Sequence, residues 1–135
     1  MTLTDASALF ALVDRTQDAH ERCRATLQTL SKPLLTPWPC FTEAMYFAFK
    51  SGGWPRQRLL WELVNDSLLK FHAPTEAEAA RMQVLMEQYR DTPMDMADAS
   101  LVAAAEALGE RRVFTLDSDF YVYQRHGREP FEVVP

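Results

Sequence analysis

Five of the nineteen acidic residues in this 135-residue chain stand apart by position. Asp5 follows a short extended lead. Glu43 lies near the start of an almost wholly apolar helical stretch. Asp98 falls in the first turn of another helix, and Asp117 and Asp119 follow an apolar strand-like run. If they converge, their charges repel, because no Lys or Arg is placed among them. A divalent cation resolves that repulsion, and an all-oxygen ligand set favours Mg²⁺ or Mn²⁺ over zinc. Such a centre suits phosphodiester hydrolysis, with the ion acidifying a water and stabilising the leaving oxygen.

The elements needed to bring these acids together can be read along the chain. Leu3-Thr4 leads into Asp5, and helical spacing follows over Ala6–Val13 and Asp18–Leu30. Pro33–Thr36 reads as a buried strand. Pro37 and Pro39 are tolerated only where a helix begins, before the apolar helix Cys40–Lys50 that Gly52-Gly53 stops. A helix from Pro55 to Asn65, a strand Leu68–His72 and a helix from Thr75 to Tyr89 come next; Thr75 and Glu78 form a capping-box pattern. After the Asp91–Pro93 loop, a helix Met96–Leu108 closes on Gly109. Val113–Leu116 is a strand, and Phe131–Val134 a further one.

Strands alternating with helices predict a single α/β domain over residues 1–135 with a mostly parallel central sheet. In such a sheet the strand C-termini and the following helix N-termini share one edge, where sites gather. Acids from position 5 to position 119 are therefore expected in one crevice.

Glu43 is the sharpest signal. Between Cys40 and Phe49 only Thr42 and Glu43 are polar, so this carboxylate faces desolvation unless it meets a partner. Asp98 shares a helix face with Leu101, Val102 and Ala105, which places it at the top of the buried side. Each acid also has a plainer reading. Asp95 is a helix N-cap with Asp98 three residues on, Asp5 is in position to cap the helix from Ala6, and Asp117 and Asp119 suit a turn.

The remaining polar residues read as structural. Asp14, Asp18, Glu21, Glu62, Asp66, Glu76, Glu78, Glu87 and Asp91 are assigned to solvated faces, caps and loops. His20, His72 and His126 have no ligand-like spacing and read as surface or strand-end residues. Lys50, Arg56 and Arg58 are near enough to the Glu43 helix to contact phosphates, with solvation as the default. Trp38, Trp54 and Trp61 suit core packing or a dimer surface better than base stacking. Cys23 and Cys40 read as reduced core thiols.

Composition narrows the class. At 47% apolar and 24% charged residues the chain can bury a core and is not disordered. A net charge of −5 is poor for binding nucleic acid by bulk electrostatics; it fits carboxylates gathered at a cation site and is also compatible with no nucleic-acid partner, a choice that charge alone does not make. There is no signal-peptide pattern and no membrane-length apolar run, so a cytoplasmic protein is expected.

Four segments in order resemble the PIN-domain family, in particular its VapC-type toxins: Thr4-Asp5-Ala6-Ser7, Trp38 to Ala44, Pro93 to Ser100, and Thr115 to Phe120. The resemblance implies a PIN-like α/β/α sandwich and Mg²⁺- or Mn²⁺-dependent endoribonuclease activity on RNA. It further implies a homodimer and inhibition by a small cognate antitoxin protein. It makes Asp5, Glu43 and Asp98 core metal ligands and leaves the fourth acid open between Asp117 and Asp119. Ser7 and Thr115 match small polar positions that support the cluster.

Two rivals share the sheet. An aspartyl-phosphate phosphotransfer domain needs a nucleophilic Asp, for which Asp5 is placed, and a nearby Lys, which the later strands do not supply. A catalytically inactive interaction module of the same fold would have no use for the acids.

Overall fold

The computed structural model describes all 135 residues. Strand β1 (Thr2–Thr4) feeds α1 (Ala6–Val13) and α2 (His20–Leu27). Strand β2 (Leu34–Pro37) runs directly into α3 (Trp38–Gly52), followed by α4 (Trp54–Asn65) and β3 (Leu69–His72). Helices α5 (Glu76–Gln88) and α6 (Met96–Leu108) precede β4 (Arg112–Phe114). A 3-10 turn (Ser118–Tyr121), a small antiparallel ribbon of β5 (Gln124–Arg125) with β6 (Glu129–Pro130), and β7 (Glu132–Val134) complete the chain.

The five-stranded sheet has the order β3-β2-β1-β4-β7, and every pairing in it is parallel. Consecutive residues of a strand point to opposite faces, and the sheet is apolar on both. Val113, Leu3 and Leu35 pack with α5 and α6. Phe114, Leu34 and Leu69 pack with α1 to α4. The result is the expected α/β/α sandwich, with strand C-termini and helix N-termini sharing one edge.

Local signals account for the ends of the helices. Thr75 and Glu78 form the full capping box of α5, Asp95 caps α6, and Gly109 closes α6 in the left-handed conformation that favours glycine. Helix α3 starts at Trp38, two residues before the apolar run, because Pro39 fits a first-turn position. Helix α2 is shorter than its periodicity, and residues 28–30 form a turn. Strand β4 stops at Phe114; Thr115 still donates its N–H to the Val134 carbonyl (2.9 Å) but then turns toward the site.

Asp14 and Glu78 hold cap positions, one of the roles expected of them, yet both are buried, and so is His20, expected at the surface or a strand end. Asp14 is wholly buried beyond the end of α1. There its carboxylate accepts from the Thr16 hydroxyl (2.6 Å), the Thr16 N–H (2.9 Å) and Gln17, and pairs with Arg56 of α4. Glu78 is covered because its cap carboxylate also meets His72 Nε2 at 2.6 Å. His20 is covered because its Nδ1 bonds the Ala11 carbonyl at 2.7 Å. Each acid or imidazole gained a partner distant enough in sequence that periodicity does not reveal it. Both cysteines are free and buried. No helix is long and apolar enough to cross a membrane.

Candidate active site

The chain leaves β1 at Thr4, and Asp5 caps α1. Its Oδ1 accepts from the Ala6 N–H at 2.8 Å. Its Oδ2 accepts from the hydroxyls of Thr115 at 2.7 Å and Ser7 at 3.0 Å. Both hydroxyls also accept from the chain after β4: Ser7 from the Leu116 N–H at 2.9 Å, Thr115 from the Asp117 N–H at 3.0 Å. These bonds tie the ends of β1 and β4 together and fix where Asp117 leaves the sheet. Asp117 then caps the 3-10 turn by accepting from the Asp119 N–H at 2.9 Å, so the two acids are held as one turn.

Asp98 arrives from α6. Asp95 accepts from its N–H at 2.8 Å, which fixes the first turn. Asp98 is nearly covered, 6% exposed as a residue, and its Oδ2 accepts a 2.8 Å hydrogen bond from the buried Tyr123 hydroxyl. Ligand oxygens of Asp98, Asp117 and Asp119 lie within 4.8 Å of one another. Asp117 and Asp119 therefore share one cluster.

Asp5 and Glu43 stand outside that tightest set but within its field. Burial raises the proton affinity of Asp5 despite its three hydrogen bonds, and the Asp117 charge adds to the effect. Glu43, half-buried on α3, is pushed up to about 7 by burial and by the charges of Asp95, Asp5 and Asp117. Asp98 is also pushed up to about 7, by burial first, then by the same three acids, with Tyr123 opposing. Asp119 is raised by burial and by Asp117 and Asp95. None of the five acids has a salt-bridge partner, so no protein cation relieves the crowding. The donors are oxygens throughout, a set that fits Mg²⁺ or Mn²⁺.

A PIN-domain family model matches residues 2–125. The chain belongs to the PIN-domain family. Two solved structures have the same fold. One is VapC20 of Mycobacterium tuberculosis, described as a sarcin–ricin loop cleaving toxin: 14% identity, TM-score 0.82, covering 96% of this chain and all of that one. The other is a toxin–antitoxin complex from Klebsiella pneumoniae: 19% identity, TM-score 0.65, covering 89% of this chain and 90% of that one. No curated protein matches by sequence.

Sequence reasoning missed one contributor to this PIN site. Tyr123 lies in a stretch to which no element was assigned, yet its ring is wholly buried against Phe120 and Tyr89. The three-residue spacing of Phe120 and Tyr123 was the available signal. Asp95 behaves as the cap it was read to be, while its charge also reaches Glu43, Asp98 and Asp119.

Proposed function

We propose that this PIN-domain protein is a Mg²⁺- or Mn²⁺-dependent endoribonuclease, the VapC-type toxin of a toxin–antitoxin pair. The observation that carries the reading is the meeting of Asp98, Asp117 and Asp119 within 4.8 Å, beside Asp5 and Glu43, with no protein cation among them. Asp98, Asp117 and Asp119 would hold the ion, with Asp5 and Glu43 completing its surroundings directly or through water.

A bound ion supplies Lewis acidity toward water and phosphate. The protein supplies the rest. Ser7 and Thr115 keep the Asp5 carboxylate in one orientation, and Tyr123 does the same for Asp98, so little reorganisation is left for the reaction. Glu43, partly exposed beside the acids that would hold the ion, is the carboxylate we assign to take a proton from the attacking water.

The low-identity relatives lend the biological setting. VapC20 is described as cleaving the sarcin–ricin loop, and the Klebsiella pneumoniae structure as a toxin–antitoxin complex. By analogy this chain acts on RNA and is restrained by an antitoxin protein; the small size of that antitoxin, homodimerisation and a cytoplasmic setting carry over as proposals from the reading of the sequence. The aspartyl-phosphate alternative finds no support: both Asp5 oxygens are engaged, Asp5 is 4% exposed, and no lysine joins the cluster.

The test is cleavage of total cellular RNA by purified protein in Mn²⁺. Discrete products are expected, absent with a chelator and with Asp98→Asn. Unimpaired cutting by folded Asp98→Asn, or no Mn²⁺ binding by calorimetry, would remove the reading.

A further inference from the structure

β2 and β4 flank β1 on opposite sides, so the surfaces beyond them flank the carboxylates. Beside β4, Arg22, Ser118 and Tyr121 border Asp117. Beside β2 the chemistry differs. There, a groove of about 690 Å³ opens between α3 and the start of α6, walled by Trp38, Tyr46 and Met96 and rimmed by Glu43 and Asp95. The three wall residues are 45%, 58% and 58% exposed, a continuous stretch of free apolar surface next to two acids, Glu43 and Asp95. No basic side chain lines the groove. Lys50, whose Nζ is 5.4 Å from the Tyr46 ring centroid, is outside it.

The wall is rigid. The Trp38 indole stacks on Phe71 with centroids 3.8 Å apart and planes 9° from parallel, and Phe41 packs edge-on at 6.3 Å. A side chain already held flat binds a second flat ring without losing its own freedom. The rim is selective. Glu43 and Asp95 repel a phosphate and attract N–H donors. Asp95 uses Oδ1 for the α6 cap, and its Oδ2 has no protein partner. The occupant must therefore be flat and apolar on its faces, not anionic where it meets the rim, and furnished with N–H donors at an edge. A nucleobase has all three properties and so has an arginine guanidinium, but only a nucleobase is joined to the phosphate that the neighbouring carboxylates would cut; a phosphate has none, and an aliphatic side chain lacks the flat face and the donors.

We infer that this groove holds a nucleobase of the RNA strand beside the phosphate to be cut, packed against Trp38 and Tyr46 with an amino edge toward Asp95. The inference rests on the ribonuclease reading and deepens it by assigning where the strand's sequence is sensed. Trp38 is here given a stacking role rather than one in core packing or a dimer surface alone.

The experiment uses a short RNA spanning a site that the protein cuts in total RNA, and the same RNA with single abasic positions. Steady-state cleavage in Mn²⁺ is compared for the wild type, Trp38→Ala, Tyr46→Ala and Trp38→Phe. Base–aromatic stacking predicts that each alanine variant raises KM about tenfold, with kcat changing less, and that Trp38→Phe recovers most of the loss. One abasic position should weaken the wild type similarly and add nothing in Trp38→Ala. Mn²⁺ affinity by calorimetry should stay at the wild-type value. Unchanged KM in both Trp38→Ala and Tyr46→Ala, with the wild type cutting normally, would overturn the subsite alone. Conversion of a dimer to monomers with KM intact would assign the face to a second copy and likewise overturn it. A wild type that cuts no RNA removes the subsite together with the reading beneath it.

Discussion

The Tyr123 hydroxyl donates to Asp98 Oδ2 at 2.8 Å, and both side chains are shielded from solvent. Burial lifts Asp98 toward neutrality, and this bond is the one protein contact pulling its carboxylate back toward the charged form. Tyr123→Phe should therefore raise the Asp98 pKa further. The acid limb of Mn²⁺ binding and of cleavage should move up by about one pH unit. Calorimetric Mn²⁺ titrations across neutral pH, for wild type and variant, provide the check. Superimposable pH profiles would deny Tyr123 any part in tuning the site.

The crowded acids also predict how stability depends on pH. The folded pKa values of Asp98 and Glu43, about 7, exceed the ordinary 3.8 and 4.5. A raised carboxyl pKa favours the protonated folded form, so that contribution is fully present at low pH. It is lost as pH rises from about 4 through about 7. Asp14, held down to about 2 by hydrogen bonds from Thr16 and by Arg56, though burial opposes, has the reverse sign. Its contribution is present above about 4 and lost as pH falls toward 2. Urea midpoints of the metal-free protein should therefore peak in the mildly acidic range and decline toward neutrality. Mn²⁺ should restore the neutral-pH loss, since binding to the folded state alone stabilises it. A metal-free midpoint that does not fall between pH 5 and pH 7 (roughly the interval in which the raised groups ionise) would show that the carboxylates do not repel as described.

Asp95 has two separable roles. As N-cap it accepts from the Asp98 N–H; as a charge it raises the proton affinity of Glu43 and Asp98. Asparagine caps as well as aspartate but carries no charge. Asp95→Asn should keep stability near wild type while shifting the acid limb of activity to lower pH. Asp95→Ala should show the same shift and lose about 1 kcal/mol of stability. Thermal unfolding and pH–rate profiles of the two variants make the comparison. If Asn and Ala move stability equally, the cap contributes nothing.

Much of this arrangement was legible because it depends on local pattern. Alternation of strand and helix gave the layered sheet, and an acid at a helix start inside an apolar run singled out Glu43 and Asp98 as candidates. The capping role of Asp95 followed from its spacing to Asp98. What escaped notice depends on distant partners. Arg56 reaches Asp14 across 42 positions and that link leaves no periodic trace; the support of Thr115 for the cluster came from the family resemblance alone, since its bond to Asp5 spans 110 positions. Tyr123 lay where turns and short ribbons dilute any periodicity. The sequence leaves open whether one or both of Asp117 and Asp119 belong to the cluster, and a 3-10 turn brings both to the same place.

The Asp14–Arg56 pair tests whether the wall behind the site is held by one buried charge. Asp14 ends α1, the helix whose first turn carries Ser7, and is wholly buried; Arg56 reaches it from α4, about three-quarters covered. Removing one partner of a buried pair strands the other charge, at a cost of about 3–5 kcal/mol when nothing else bonds to it. Here Thr16 and Gln17 still donate to the Asp14 carboxylate, so Arg56→Ala should cost less, about 2 kcal/mol. Arg56→Met keeps most of the side-chain packing and should cost nearly as much if charge is the cause. The double change Asp14→Asn with Arg56→Met should recover part of the loss, because no buried charge remains unpaired. Urea denaturation of the three variants measures the coupling. Strictly additive losses would show that Arg56 acts through packing alone.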